Sequence, residues 1–351
     1  MVTKMEDLAL HLYEIIKDYR IDDGFQMTPD RVLTWANQFK PSDRRFVLEE
    51  LTGILEKKYL SKKSIVRLLN ESIKYFVKKY NYNSPLSFLE HTVFLDLQEK
   101  GKSQKELLSL LDEILKAEYD IDLSFCGSKS VENYIYLDDI LCTGNTVYFD
   151  LHNWLDHEEK GINQLEKLIK SKFNVILMYI FMHDLNLRKL EWRFKYSHPK
   201  FEFQAIRGML IENDYEKVDS KLDFVFPVCE SQPPIVLEYF NRLETSKYGV
   251  FRQNGKPSKE KFFSSPQNRI RFENILLIKG LEILNSVTVQ KENIRPLGYT
   301  LPSHKNFGFG TLCFTWRNVP NNTPLVFWYS SPNWMPLFDK KQVTYEFDEI
   351  F

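Results

Sequence analysis

The segment Tyr134–Asp150, "YIYLDDILCTGNTVYFD", sets two adjacent carboxylates at the end of an apolar run. Behind Asp138 and Asp139 comes a short turn of small polar residues, Cys142, Thr143, Gly144, Asn145 and Thr146, and then a helical pattern. A helix start offers free N–H groups and the positive end of the peptide dipole, which suits a phosphate. Gly144 lets the backbone approach an anion closely, and the Thr143 and Thr146 hydroxyls add donors. The turn is too short to wrap a triphosphate and lacks the Lys-Ser/Thr pair of a P-loop, so a monophosphate cradle is expected. Neighbouring residues on a strand point to opposite sides. The two acids can accept hydrogen bonds from a vicinal diol or help hold Mg²⁺ through hydroxyls and water. A diol and a phosphate a few ångströms apart describe a ribose 5-phosphate.

Elements able to position such a site follow along the chain. The first 80 or so residues read as amphipathic helices, with Leu8, Leu12, Ile15 and Ile16 at three- and four-residue steps. Lysines there alternate with acids, as on a solvated helix face. The turn-rich "YNYNSPLS" (80–87) suggests a boundary. Beyond it, "HTVFLDL" (91–97), "ENYIYLDDI" and "FNVILMYIFMHD" (173–184) read as strands alternating with helices, and "KLDFVFPV" (221–228) as the closing strand. Continuous apolar strands between helices predict an α/β fold with a parallel sheet covered on both faces. Three segments are expected: a helical N-terminal extension (1–86), an α/β core (87–231) and an α+β C-terminal extension (232–351). In the last, Pro320-Asn321-Asn322 suggests a hairpin between aromatic-rich strands.

Composition narrows the function classes. The 351 residues are 43% hydrophobic and 15% aromatic, and 47 basic residues meet 48 acidic ones for a net charge of −1. Such balance does not favour nucleic acid as a partner. Cys126, Cys142, Cys229 and Cys313 form no CxxC pair and have no histidine at ligand spacing, so free thiols in a reducing compartment are expected, a structural zinc site is not, and no residue is assigned as a metal ligand. The acid-containing N-terminus makes a poor signal peptide, and the most apolar run, "VILMYIFM" (175–182), is too short to span a bilayer. A cytoplasmic protein without membrane contact is expected.

"YIYLDDILCTGNT" resembles the PRPP-binding motif of type I phosphoribosyltransferases, where PRPP is 5-phosphoribosyl 1-pyrophosphate. The order matches: hydrophobic strand, two acids, two apolar residues, then a small-Thr-Gly-x-Thr turn. Tyr136 and Cys142 depart from the usual pattern. The resemblance implies that Asp138 and Asp139 are catalytic and hold the ribose hydroxyls, that Cys142–Thr146 bind the 5′-phosphate, and that Mg²⁺ is a cofactor. It also implies a pyrophosphate loop after the preceding strand, where Lys100, Gly101, Lys102 and Ser103 lie. Gly101 permits a tight turn there, Lys102 brings charge, and Ser103 can cap the next helix. More widely, the chain is similar to phosphoribosyltransferase-like proteins attributed to bacterial conflict and phage-defence loci, through "VLTWANQF", the core and the segment 307–338.

Family enzymes insert a mobile loop before the acidic strand, whereas "EYDIDLSFCGSKSVEN" (118–133) is short, with Lys129 as a candidate remnant. Two readings therefore stay open. One is an enzyme moving a phosphoribosyl group between PRPP and a base or nucleotide. The other is a sensor that binds a ribonucleotide 5′-phosphate and controls a protein effector partner. In "EWRFKY", Trp192, Phe194 and Tyr196 are candidates for base stacking. Arg188, Lys189, Arg193, Lys195 and Lys200 give the same stretch a local basic patch, read as a solvated loop. His183-Asp184 ends a strand near the expected ligand edge.

Overall fold

The computed structural model describes residues 4–159, 161–217, 219–243, 249–288 and 291–340. Helices come first: α1 (Met5–Ile16), α2 (Pro29–Asn37), α3 (Pro41–Lys58), α4 (Lys62–Lys79) and α5 (Pro85–Glu90). The α/β portion runs β1 (Thr92–Phe94), α6 (Ser103–Tyr119), β2 (Asn133–Leu141), α7 (Asn145–Asp156), α8 (Gln164–Ser171), β3 (Asn174–His183), α9 (Asp184–Ser197) and β4 (Gln204–Ile211). Three helices follow: α10 (Pro234–Arg242), α11 (Pro266–Asn285) and the single turn α12 (Leu325–Trp328). The remaining strands among the described residues are two-residue pairs. No helix among the described residues is long and apolar enough to cross a membrane.

Two compact units result: Lys63–Ile211, and residues 1–62 joined with Glu212–Phe351. The partition differs from three consecutive segments because the helical start and the C-terminal part share one core. Trp35 of α2 is fully buried there, stacks on Phe327 and donates its indole N–H to the Val326 carbonyl at 2.9 Å. That carbonyl also accepts from the Trp334 indole at 3.0 Å. Buried ion pairs in this unit join Arg252 to Glu273 at 2.7 Å and Lys58 to Asp223 at 2.5 Å.

Lys63–Ile211 holds a four-stranded, all-parallel sheet in the order β1-β2-β3-β4. Residues of β2 and β3 are largely buried, which accounts for their unbroken apolar sequences. Tyr134 and Tyr136 of β2, with Val175, Leu177 and Tyr179 of β3, meet Val147, Leu151 and Leu155 of α7 and Leu190 and Phe194 of α9. On β4, a Cβ built on Gly208 would stand 2.4 Å from the Leu68 side chain of α4, so that helix packs directly on the strand.

Three expectations are corrected here. The closing strand is Gln204–Ile211, not 221–228. Arg207 and Gly208 interrupt its apolar run and disguise it, whereas Val225 belongs to the core of the other unit. "FTWRNVPNNTPLVFW" forms no hairpin: Phe314–Thr315 pairs in parallel with Tyr59–Leu60, and Leu325–Trp328 is helical. Leu325, Val326 and Phe327 are all fully buried, a pattern without the two-residue alternation of a half-buried strand. "EWRFKY" lies within α9 rather than in a loop. Leu187, Leu190 and Phe194 recur there at helical steps against the core, and Arg188 pairs with Asp184 one turn earlier at 3.0 Å.

Candidate functional site

The expected site residues gather at the carboxyl ends of β1 and β2, where loops enter α6 and α7. Parallel α/β sheets commonly bind ligands at this edge. Strand β2 carries Asp138 on the same face as Tyr136 and sends Asp139 to the other. Asp138 is buried and Asp139 half-buried. Asp138 pairs across the sheet with Tyr179 of β3.

Protein donors surround the Asp138 carboxylate. Oδ1 accepts from Ser103 Oγ at 2.5 Å and from the Asp139 amide at 2.8 Å, and Oδ2 accepts from Gln98 Nε2 at 3.0 Å. Burial, followed by the neighbouring Asp139 charge, pushes Asp138 up to about 7 despite those bonds. Gln98 is itself fixed, because Gln104 Oε1 accepts from the Leu97 and Gln98 amides at 2.7 and 3.0 Å. Gln98 Nε2 also reaches the Tyr136 hydroxyl at 2.6 Å, and that hydroxyl donates to Asp150 Oδ2 of α7 at 2.6 Å. Burial holds Asp150 above the usual carboxylate range, against the Tyr136 and Gln98 bonds and the Lys102 charge.

Ser103 departs from its expected role. It is the first residue of α6, and its hydroxyl goes to Asp138 rather than to a helix-end amide. The loop before it turns at Gly101, whose φ of 85° lies in the left-handed region that favours glycine. Lys100, Gly101 and Lys102 are exposed. One bond thus joins the loop bearing the lysines to the acidic strand end.

The turn after β2 has the expected form. Gly144 takes φ 77° as the N-cap of the twelve-residue α7. Its carbonyl accepts from the Tyr148 amide at 3.0 Å, and the Thr143 hydroxyl accepts from the Asn145 amide at 3.3 Å. The opening N–H groups of a helix have no intrahelical acceptor. Cys142 and Gly144 are buried, Thr143 and Asn145 half-buried, and Thr146 exposed.

Arg193 of α9 completes this end. Its Nη1 donates to Asn145 Oδ1 at 2.6 Å, and its guanidinium lies 3.7 Å from the centre of the Tyr148 ring. A cation is thereby fixed beside the Gly144 turn. The sequence places Arg193 in a basic patch but cannot assign it, since its partner lies 48 positions away. The sequence does not single out Gln104 or Asp150 as site residues either. Trp192 and Tyr196 lie one helical turn apart on α9, exposed and stacked on each other at 6.0 Å, whereas Phe194 is core. His183 is fully buried. Lys129 is exposed and pairs with Glu90 at 2.7 Å.

No curated protein and no solved structure matches the chain. A family model does: that of PRTase-CE, over residues 32–340. Acid pair, glycine turn and parallel sheet all lie inside that span, and the chain belongs to this phosphoribosyltransferase-like family.

Proposed function

We propose that the chain binds PRPP or a ribonucleoside 5′-phosphate at the carboxyl edge of its sheet and transfers the phosphoribosyl group. The observation that carries this reading is the 2.5 Å bond from Ser103 to Asp138, which ties a lysine-bearing loop to the acid pair ahead of the Gly144 turn. In the proposed complex the partly exposed Asp139 accepts from the ribose diol. Asp138, whose carboxylate is already engaged, positions Asp139 and the loop. The α7 amides, Thr143 and Thr146 take the 5′-phosphate, with Arg193 beside them. Lys100, Gly101 and Lys102 face the pyrophosphate.

Mg²⁺ fits this donor set, since it prefers one or two carboxylates together with substrate phosphates and waters, and Asp139 offers a carboxylate at the rim. Bound there, Mg²⁺ would offset charge on the departing pyrophosphate. The residues contribute orientation and fixed charge around a carbon that develops oxocarbenium character.

A second reading, a nucleotide sensor that controls a protein effector in a phage-defence system, draws on the interval between α6 and β2. Those residues hold one 3-10 turn, Leu123–Phe125, and the Lys129–Glu90 pair. They leave little chain for a closing lid.

The test is thermal unfolding with PRPP or nucleoside monophosphates and Mg²⁺. Ligand at about 100 Kd should add roughly 2.7 kcal/mol of stability, and Asp139→Asn should abolish the gain. No gain with any ribose phosphate would refute both readings. Pyrophosphate release from PRPP in the presence of a base separates the enzyme from the sensor.

A further inference from the structure

Seven histidines are scattered through the sequence, yet the fold brings two of them together with a carboxylate. His152 and Asp156 lie one turn apart on α7, and His198 follows the end of α9. One ligand atom from each lies within 4.8 Å of the others. His152 Nδ1 is 3.4 Å from His198 Nε2. Asp156 reaches His198 Nε2 with Oδ1 at 3.2 Å and His152 Nδ1 with Oδ2 at 3.6 Å. Ligand atoms about 2.0–2.1 Å from a tetrahedral zinc ion stand roughly 3.3 Å apart, so these separations have the span of one face of that tetrahedron.

Proton placement points the same way. The Ser197 hydroxyl donates to the Arg193 carbonyl at 3.1 Å. Its oxygen is therefore the acceptor for His198 Nδ1, 2.9 Å away, and that nitrogen carries a proton. In neutral His198 the Nε2 lone pair then faces a carboxylate oxygen and a second imidazole nitrogen. With His152 in its Nε2–H tautomer, three electron pairs converge on one point, an arrangement a cation relieves. A metal-binding histidine typically donates its other N–H to an oxygen in this way.

We propose that His152 Nδ1, His198 Nε2 and the Asp156 carboxylate form a zinc site, with water in the fourth position. Two imidazoles and one carboxylate suit Zn²⁺ over Mg²⁺, which prefers oxygen ligands alone. His152 and Asp156 are partly open to solvent, which gives the ion a route in and the water its place. His152 lies seven residues into α7 from Asn145, about 10 Å along the helix, so the site is separate from the phosphate-type turn. Its effect there is mechanical: it clips α7 to the end of α9, and the Tyr148 ring stacked on His152 also carries the Arg193 guanidinium.

The test uses the full chain, stripped with a chelator and titrated with Zn²⁺ alone, then with Co²⁺ as an absorbing stand-in. One equivalent should bind, with the intense visible bands of four-coordinate Co²⁺, and Zn²⁺ should raise the melting temperature. Losing an outer partner of a metal ligand costs about 10–100-fold in affinity, so His198→Gln and His152→Gln should each lose about a hundredfold or more. Ser197→Ala should lose roughly tenfold. No tight equivalent, or uptake unchanged in these variants, overturns the proposal, as does a Co²⁺ spectrum of six-coordinate type. If His198→Gln fails to fold, His152→Gln and Asp156→Asn, at partly exposed positions, decide the question. Ribose-phosphate binding plays no part in these readouts.

Discussion

Asp138→Asn should make the unliganded protein more resistant to urea at pH 8. The wild-type carboxyl is pushed up to about 7, chiefly by burial and then by the Asp139 charge, from about 3.9 in an unfolded chain. A raised carboxyl stabilises the fold fully below its unfolded value, and that contribution is lost as pH rises through about 7. Wild-type stability should therefore fall between pH 4 and pH 8, by about 4 kcal/mol if Asp138 acted alone. Asparagine keeps the shape and the acceptor for Ser103 and carries no charge. It also sets its amide against Gln98 Nε2, now 3.0 Å from a carboxylate oxygen, and one unsatisfied buried donor costs about 1–3 kcal/mol. The net gain at pH 8 should be about 1–3 kcal/mol, vanishing or reversing at pH 4–5, where the wild-type acid is already neutral. Urea melts at both pH values, read by tryptophan fluorescence and circular dichroism, measure it. Wild-type stability that is flat or rising across that range, or an Asn variant weaker at pH 8 than at pH 5 relative to wild type, would refute the reasoning.

Other substitutions probe the neighbouring contacts. Gly144→Ala forces a side chain into φ 77°, so a stability loss of about 1–2 kcal/mol and a weakened thermal response to 5′-phosphates are expected. Arg193→Ala removes the charge held between Asn145 and Tyr148. Affinity for a nucleoside monophosphate, measured by calorimetry, should fall about tenfold, in line with a charge-assisted hydrogen bond worth about 1.5–3 kcal/mol. Gly208→Ala places a Cβ 2.4 Å from Leu68 and 3.0 Å from the Ile180 carbonyl, and overpacking of about 1–3 kcal/mol should appear as a lower urea midpoint.

Local signals were the legible part of the chain. The apolar runs of β2 and β3, the helical steps of α6 and α7, and the small-Thr-Gly-x-Thr turn are each written within a dozen residues, and the fold honours them. Pairings across distance were not legible. Ser103 looks like a helix cap until Asp138, 35 positions on, claims its hydroxyl. Arg193 looks like one of several surface cations until α9 lays it on Tyr148. Edge strand β4 was lost because a half-exposed strand carrying Arg207 and Gly208 has neither an unbroken apolar run nor clean alternation. The aromatic C-terminal segment misled for the opposite reason: high β-propensity reflects packing opportunity, and here the packing is against α2 and neighbouring helices.

The sheet-bearing unit is an insertion between two stretches that need each other. Trp35 cannot reach Val326 until the chain has left the ribosome beyond that residue, 291 positions on, whereas everything required to close β1 through β4 has emerged by Ile211. Synthesis from the N-terminus thus lets the parallel-sheet fold form while α1–α3 still wait, apolar faces uncovered, for their distant partners. Chains stalled past residue 211 would carry a finished sheet and a half-built neighbour, and chaperone demand should concentrate on the first sixty residues.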